Sequence, residues 1–208
     1  MKSIQIIKQL NNTELGKSGT HDTYILVPQT LDVSDIFPEK DTVYSFVDRE
    51  TGKTFPIRRT AGRETRIVGL GPFYSSKQLC AGDKIVLELR IIDNHTVRII
   101  DCARKLNTFV VQKSSAGFEL LTPERLDLIS ENVKVDGKSL SVDYLLSKKK
   151  RQDSPDETDY YDVKIGEQSI LRNYSSKEYA VILIENNQAR IDKFCAWTKV
   201  SINTEEHQ

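Results

Sequence analysis

The sequence predicts a mainly β chain: a barrel or sandwich over the first half, then a smaller α+β extension. Seven short strand-like runs, separated by turn signals at regular spacing, fill the first half. The second half changes character at a Thr-Pro-Glu helix start and an acidic, Pro-containing loop. The 208 residues suffice to bury a core, and 38% hydrophobic with 29% charged residues fits a globular chain.

The seven runs are expected at residues 4–10, 24–27, 42–47, 54–57, 66–70, 84–92 and 96–102. Alternation is sharpest where Ile85, Leu87, Leu89 and Ile91 share one face and Glu88 and Arg90 the other. Asp93-Asn94-His95 then turns the chain into Val97-Arg98-Ile99-Ile100, which predicts a hairpin. A second turn is expected over 48–53, where Gly52 supplies conformational freedom. Residues 32–37 are expected to form one short helix, ended by Pro38.

Beyond them, Thr122 is a hydroxyl cap, Pro123 suits the first helical position and Glu124 faces the positive end of the dipole. That helix is expected to run to about Asn132. Residues 147–159, Lys148-Lys149-Lys150-Arg151 followed by an acidic stretch, are expected as an exposed loop. Strands are expected again at 160–165, 179–185 and 189–202. The expected domain boundary lies between residues 112 and 113, giving units 1–112 and 113–208.

Lys plus Arg and Asp plus Glu are both 30, so the chain does not coat nucleic acid by bulk charge. The charge is uneven, however. Residues 1–112 carry 16 basic and 13 acidic side chains, so the basic excess sits in the β half. No apolar run approaches the roughly 20 residues that span a bilayer, and no membrane partner is expected. The start, Met1-Lys2-Ser3-Ile4, is too mixed for a signal peptide. Cys80, Cys102 and Cys195 are widely spaced with no CxxC, which points to a reduced, cytoplasmic compartment and against a zinc site.

Two segments carry the chemistry. Arg58, Arg59, Thr60, Arg63 and Arg66 cluster in a span that holds only one acid, Glu64, between two expected strands. A guanidinium is a planar fork of donors that matches a phosphate, or guanine O6 and N7 in the major groove. A solvated strand end laced by ion pairs is the competing reading. Glu64 is expected to orient a neighbouring arginine rather than face a phosphate. The other segment, residues 11–22, is long for a hairpin connection. Its Lys17, Ser18, Thr20, His21 and Asp22 have the reach and polarity to touch phosphates or base edges. Lys53, in the 48–53 turn, is a further phosphate candidate.

Ser18-Gly19-Thr20-His21 followed by Ile25-Leu26-Val27-Pro28 resembles the first arm and strand of EcoRII-type effector domains. These domains also occur in the BfiI restriction enzyme, and plant B-three transcription-factor domains share their fold. Arg63-Glu64-Thr65-Arg66-Ile67, then Gly69-Leu70-Gly71, then Leu79-Cys80-Ala81-Gly82-Asp83 before a strong strand, resembles the second arm and the strand after it. The resemblance covers residues 4–104. It implies a seven-stranded pseudobarrel that grips duplex DNA like a wrench, with arms 11–22 and 58–66 in the major groove. Asp22 stands where family members usually carry an amide, and Thr13-Glu14 where Asn-Asp is usual. These departures bear on the recognised bases rather than on the fold.

The chain is most similar to the N-terminal domain of LlaJI-type, McrB-like restriction subunits. That implies a target-recognition domain of a restriction-modification system, joined to an AAA+ GTPase motor expected beyond Gln208 and served by a McrC-like nuclease subunit. No GxxxxGK[ST] loop is present, so no nucleotide cofactor is expected for these residues.

An enzyme is the alternative. Pro155-Asp156 and Asp162-Val163-Lys164 mimic a metal-dependent PD-(D/E)xK nuclease, although too few residues separate them for a hairpin carrying both acids. His21, His95 and His207 show no metal spacing. Gly69-Leu70-Gly71-Pro72 lacks the third glycine of a dinucleotide site, and Pro72 is expected to break a helix start. A protein-interaction module is the third class; Trp197, near Phe194 and Cys195, is expected in the core, with a partner surface as its alternative.

Overall fold

Period-two burial organises the first half of the chain. In the computed structural model, which describes residues 1–17, 22–93, 95–150, 152 and 156–203, seven strands arise where expected. They are β1 (Lys2–Gln9), β2 (Tyr24–Leu26), β3 (Val43–Asp48), β4 (Thr54–Arg59), β5 (Arg66–Val68), β6 (Lys84–Ile92) and β7 (His95–Ala103), with α1 (Gly71–Lys77) between β5 and β6. The later strands are β8 (Thr108–Lys113), β9 (Phe118–Leu120), β10 (Lys134–Val135), β11 (Lys138–Lys149) and β12 (Glu157–Ile165). They are followed by β13 (Gln168–Ser169), β14 (Tyr179–Glu185), β15 (Gln188–Lys193) and β16 (Trp197–Asn203).

The chain divides into two compact units. Met1–Arg104 joins the segment from Cys195 onward, and Lys105–Phe194 forms the other. The division expected at 112/113 would fall inside β8, whose ladder to β14 (Ala180 opposite Val111) holds it in the second unit. The single strand expected over 189–202 is two strands in different units. Gln9 forces the break: its side chain accepts from the Cys195 N–H at 3.0 Å, while its own N–H donates to the Ala196 carbonyl at 3.2 Å. β16 then lies along β1, with Lys8 opposite Trp197. Trp197 is therefore partly buried against the first core.

The first unit is a curled sheet in the order β16-β1-β6-β7-β3-β4-β5-β2, a pseudobarrel whose seven central and edge strands come from residues 2–103. Among the described residues of this sheet only β3–β7 is parallel. Ile6, Ile25, Ile57, Ile67, Ile85 and Leu87 point inward with Phe37, Phe46, Phe55 and Phe73. Residues 32–37 make one turn rather than a helix, closed by the Phe37 N–H on the Val33 carbonyl at 2.9 Å. Pro72 does not block a helix. It occupies the first turn of α1, where no N–H is needed.

Glu88 faces away from that core yet is only 1% exposed. Its carboxylate accepts from Ser3 Oγ (2.8 Å), Arg90 Nε (2.9 Å) and Arg49 Nη2. Arg49 also meets Asp101 at 2.6 Å.

The second unit is a closed barrel. The order β11-β10-β15-β14-β8-β9-β12 returns to β11, and β13 is a short flap on β12. Phe109, Val111, Phe118, Val163 and Ile182 fill it. The expected α+β extension is thus β, and the helix expected from Thr122 to Asn132 shrinks to a 3-10 turn over Pro123–Leu128. The Thr122 hydroxyl makes no capping bond; it accepts the Val110 N–H at 2.9 Å instead. The loop expected at 147–159 is strand at both ends, 147–149 and 157–159. Lys149 faces Glu157 and Ser147 faces Asp159 across the ladder, so opposed polar pairs extend β11 and β12. Among the described residues no helix is long and apolar enough to cross a membrane.

These contacts set two expectations for stability. Gly69 has φ +94°, and a Cβ there would stand 2.3 Å from the Pro56 carbonyl oxygen. Gly69→Ala is expected to lower unfolding free energy by about 3 kcal/mol. Gly52→Ala, with open space around its Cβ, is expected to cost about 1 kcal/mol; urea melts of both variants check this. The second expectation concerns Glu88. Burial pushes its carboxyl up, but the Ser3, Arg90 and Arg49 hydrogen bonds outweigh that and hold it below its usual 4.5. Its contribution is fully present above that value and is lost as pH falls through the lowered one. Melting temperature measured downward from pH 6 is expected to drop less for Glu88→Gln than for the natural chain.

Candidate nucleic-acid interface

β4 and β5 pair only through Arg58–Val68 and Arg59–Ile67, so residues 60–65 project as a loop. Thr60 closes its neck. The Thr60 N–H donates to the Arg66 carbonyl at 2.8 Å, and the Arg66 N–H donates to Thr60 Oγ1 at 3.1 Å. Thr60 is therefore a strut of the second arm, not one of its exposed donors. Val27 clamps the far side through its N–H on the Thr65 carbonyl, 2.9 Å.

Asp41 anchors the near side, and sequence reasoning does not single it out. Its backbone has φ 57°, its N–H meets the Arg59 carbonyl at 2.6 Å, and Oδ1 accepts from Arg58 Nη1 (2.8 Å) and the Ala61 N–H (3.2 Å). The only signal is an acid two residues before a strand, and its target shows only once β3 and β4 are paired.

The four arginines of the arm are held differently. Arg58 rests on Asp41 in an exposed pair of the kind worth about 0–1 kcal/mol, which a phosphate can displace. Arg59 sends Nη2 to the Pro38 carbonyl at 2.9 Å. Arg66 pairs with Glu64 at 2.8 Å, and its guanidinium lies 4.3 Å from the centre of the Tyr24 ring. Glu64 thus orients an arginine, as its position suggests. Arg63 is exposed and makes no hydrogen bond or ion pair to any described residue.

The first arm begins with a folded knuckle. The Asn11 N–H donates to Glu14 Oε2 (3.1 Å), and the Glu14 N–H donates to Asn11 Oδ1 (3.0 Å), a reciprocal capping pair. Leu15 is buried in the core, and Glu14 meets Lys8 at 2.9 Å with both side chains buried. Burial lowers the Lys8 ammonium and raises the Glu14 carboxyl, each only partly offset by its partner. Asn11 and Glu14 are therefore spent internally. Lys17 emerges exposed at the end of the knuckle, and Asp22 is exposed just before β2. Ser18, Thr20 and His21 lie outside the described residues.

Lys53 stands apart. It belongs to the Asp48–Lys53 turn, tied by the Asp48 N–H on the Lys53 carbonyl at 2.8 Å. The run of β4 separates it from Arg59 by about 20 Å at ~3.3 Å per residue. The structure does not bring it together with the arms.

The nuclease pattern is not assembled. Asp162 accepts from Ser169 Oγ at 2.6 Å, and Lys164 pairs with Asp143 at 2.8 Å. Pro155 lies outside the described residues, and Asp156 precedes β12. Among the described residues no cluster of three or more His, Cys, Asp or Glu is placed to hold a metal ion.

Comparison with protein-family models and with curated proteins returns no match. Among solved structures the chain is similar to the FUS3 domain of Arabidopsis in complex with DNA, at 17% identity and TM-score 0.34 over 47% of this chain and 94% of that one. It is also similar to the N-terminal domain of Helicobacter pylori LlaJI.R1, at 11% identity and TM-score 0.34 over 50% and 82%.

The knuckle gives a direct test. Glu14→Leu leaves the Lys8 ammonium buried without its partner carboxylate and is expected to cost about 3–5 kcal/mol. Adding Lys8→Met to that variant is expected to restore most of the loss, measured by denaturant unfolding.

Proposed function

We propose that this chain binds duplex DNA sequence-specifically, with its first unit as the reader and the 58–66 arm in the major groove. The observation that carries the reading is the arm itself. Four arginines project from one hairpin neck, and three of them are already oriented by Asp41, the Pro38 carbonyl, and Glu64 with Tyr24. The fourth, Arg63, sits near the tip with its donors free for a guanine edge. Arg58 and Lys17 supply phosphate contacts that set register. Asp22, beside β2, is suited to accept from a cytosine amine.

The arms flank β2. The first enters it before Tyr24, and the second is tied to Val27 just after it. From Thr23 to Val27 is about 13 Å of extended chain, close to the roughly 12 Å width of a major groove. Ser18, Thr20 and His21 complete the first arm in this reading. Lys53 and Thr60 drop out as DNA contacts.

The finer role is target recognition in a restriction-modification system, alongside a GTPase motor and a McrC-like nuclease subunit supplied from outside these residues. The order of motifs across residues 4–104 supports that role. In this reading the chain contributes binding, not bond cleavage.

Selection from a randomised duplex pool, followed by fluorescence anisotropy across a salt series, tests the proposal. Arg63→Ala is expected to lose about 1–3 kcal/mol for the selected site and to relax preference at one position. Lys17→Ala is expected to weaken all duplexes alike and to reduce the salt slope by about one. Lys53→Ala is expected to change neither. Absence of salt-sensitive binding in the natural chain would contradict the proposal.

A further inference from the structure

Register across the reader sheet places a mixed face beside the arm. Val43 lies opposite Arg58, Arg58 opposite Val68, and Val68 opposite Tyr24, so these four side chains form one row across β3, β4, β5 and β2. In the adjacent row Arg66 lies opposite Leu26. Ile57, Ile67 and Ile25 face the other way and are fully buried, so this face is the outward one. Val43 is 58% exposed and Leu26 45% exposed. Each apolar side chain thus stands at a corner of the face with an arginine directly across from it.

Isolated exposed aliphatics are ordinary on a protein surface. These two differ in being paired in register with the arginines of a DNA arm. The positive charge of Arg58, Arg66 and the exposed Arg63 selects a polyanion as the occupant. In a major groove the apolar feature on a base edge is the C5-methyl group of a pyrimidine.

We propose that Val43 and Leu26 read pyrimidine C5-methyl groups in the major groove, carried by thymine or by 5-methylcytosine. The inference rests on the DNA-binding reading above. Three strand spacings across and two residues along the strands separate the two side chains, roughly 16 Å. The contacted methyl groups therefore fall about five base-pair steps apart, at ~3.4 Å per step.

The test uses the full chain and the duplex selected from the randomised pool, synthesised in three forms: unmodified, with every thymine replaced by uracil, and with every cytosine replaced by 5-methylcytosine. With thymine as the source, uracil is expected to weaken binding about fourfold per contacted methyl, the worth of one buried methyl group. Val43→Ala and Leu26→Ala are each expected to lose sensitivity at one position while melting like the natural chain. With 5-methylcytosine as the source, uracil has no effect, and the methylated duplex binds about fourfold tighter per contact. Equal affinity for all three duplexes, with salt-sensitive binding intact, would overturn this inference and leave DNA binding standing. Failure to bind any of the three would overturn both.

Discussion

The arginine face depends on one constraint, the side-chain period of two along β2, β4 and β5. Ile25, Ile57 and Ile67 have no exposed surface, and they lock the register of all three strands at once. A slip of one residue would bury Arg58 and Arg66 and expose three isoleucines. At about 1.5–3 kcal/mol for each fully buried aliphatic side chain, that alternative is excluded. Burial on one side of the sheet therefore dictates the chemistry on the other. Gly69 permits the close approach at the base of the hairpin, and Thr60 closes its neck.

Preorganisation is the second theme. Long cationic side chains lose rotamer entropy when they bind, and side chains already held lose less. Asp41 holds Arg58, the Pro38 carbonyl holds Arg59, and Tyr24 stacks beneath Arg66 while Glu64 grips its edge. The acids also limit non-specific charge, in keeping with a chain whose formal net charge is zero. The knuckle at Asn11–Leu15 serves the first arm in the same way. Asn11 and Glu14 hydrogen-bond each other and Glu14 pairs with Lys8, while Lys17 at its end is exposed.

Strong alternation makes the seven strands of the first unit's residues 2–103 legible in the sequence, because each buries one face against a single core. The second unit is harder to read. β8 escapes because Thr108 through Val111 are all buried, which removes the alternating signal. The helix expected after Thr122 fails because its capping hydroxyl instead accepts from Val110 in β8. The polar tips of β11 and β12 read as loop because their charges neutralise each other only across the ladder. In the site, Arg58, Arg59, Arg63 and Arg66 are visible as a basic cluster. Asp41 and Tyr24 are not, since their roles arise from pairing between strands.

Backbone amide shifts of the isotope-labelled chain, recorded while the selected duplex is titrated in, test the central claim most directly. The account predicts that the largest changes fall on Tyr24–Leu26, Val43 and residues 58–66, with β14 and β15 silent. Changes confined to the β11–β12 ribbon of the second unit, with the 58–66 arm unmoved, would contradict it.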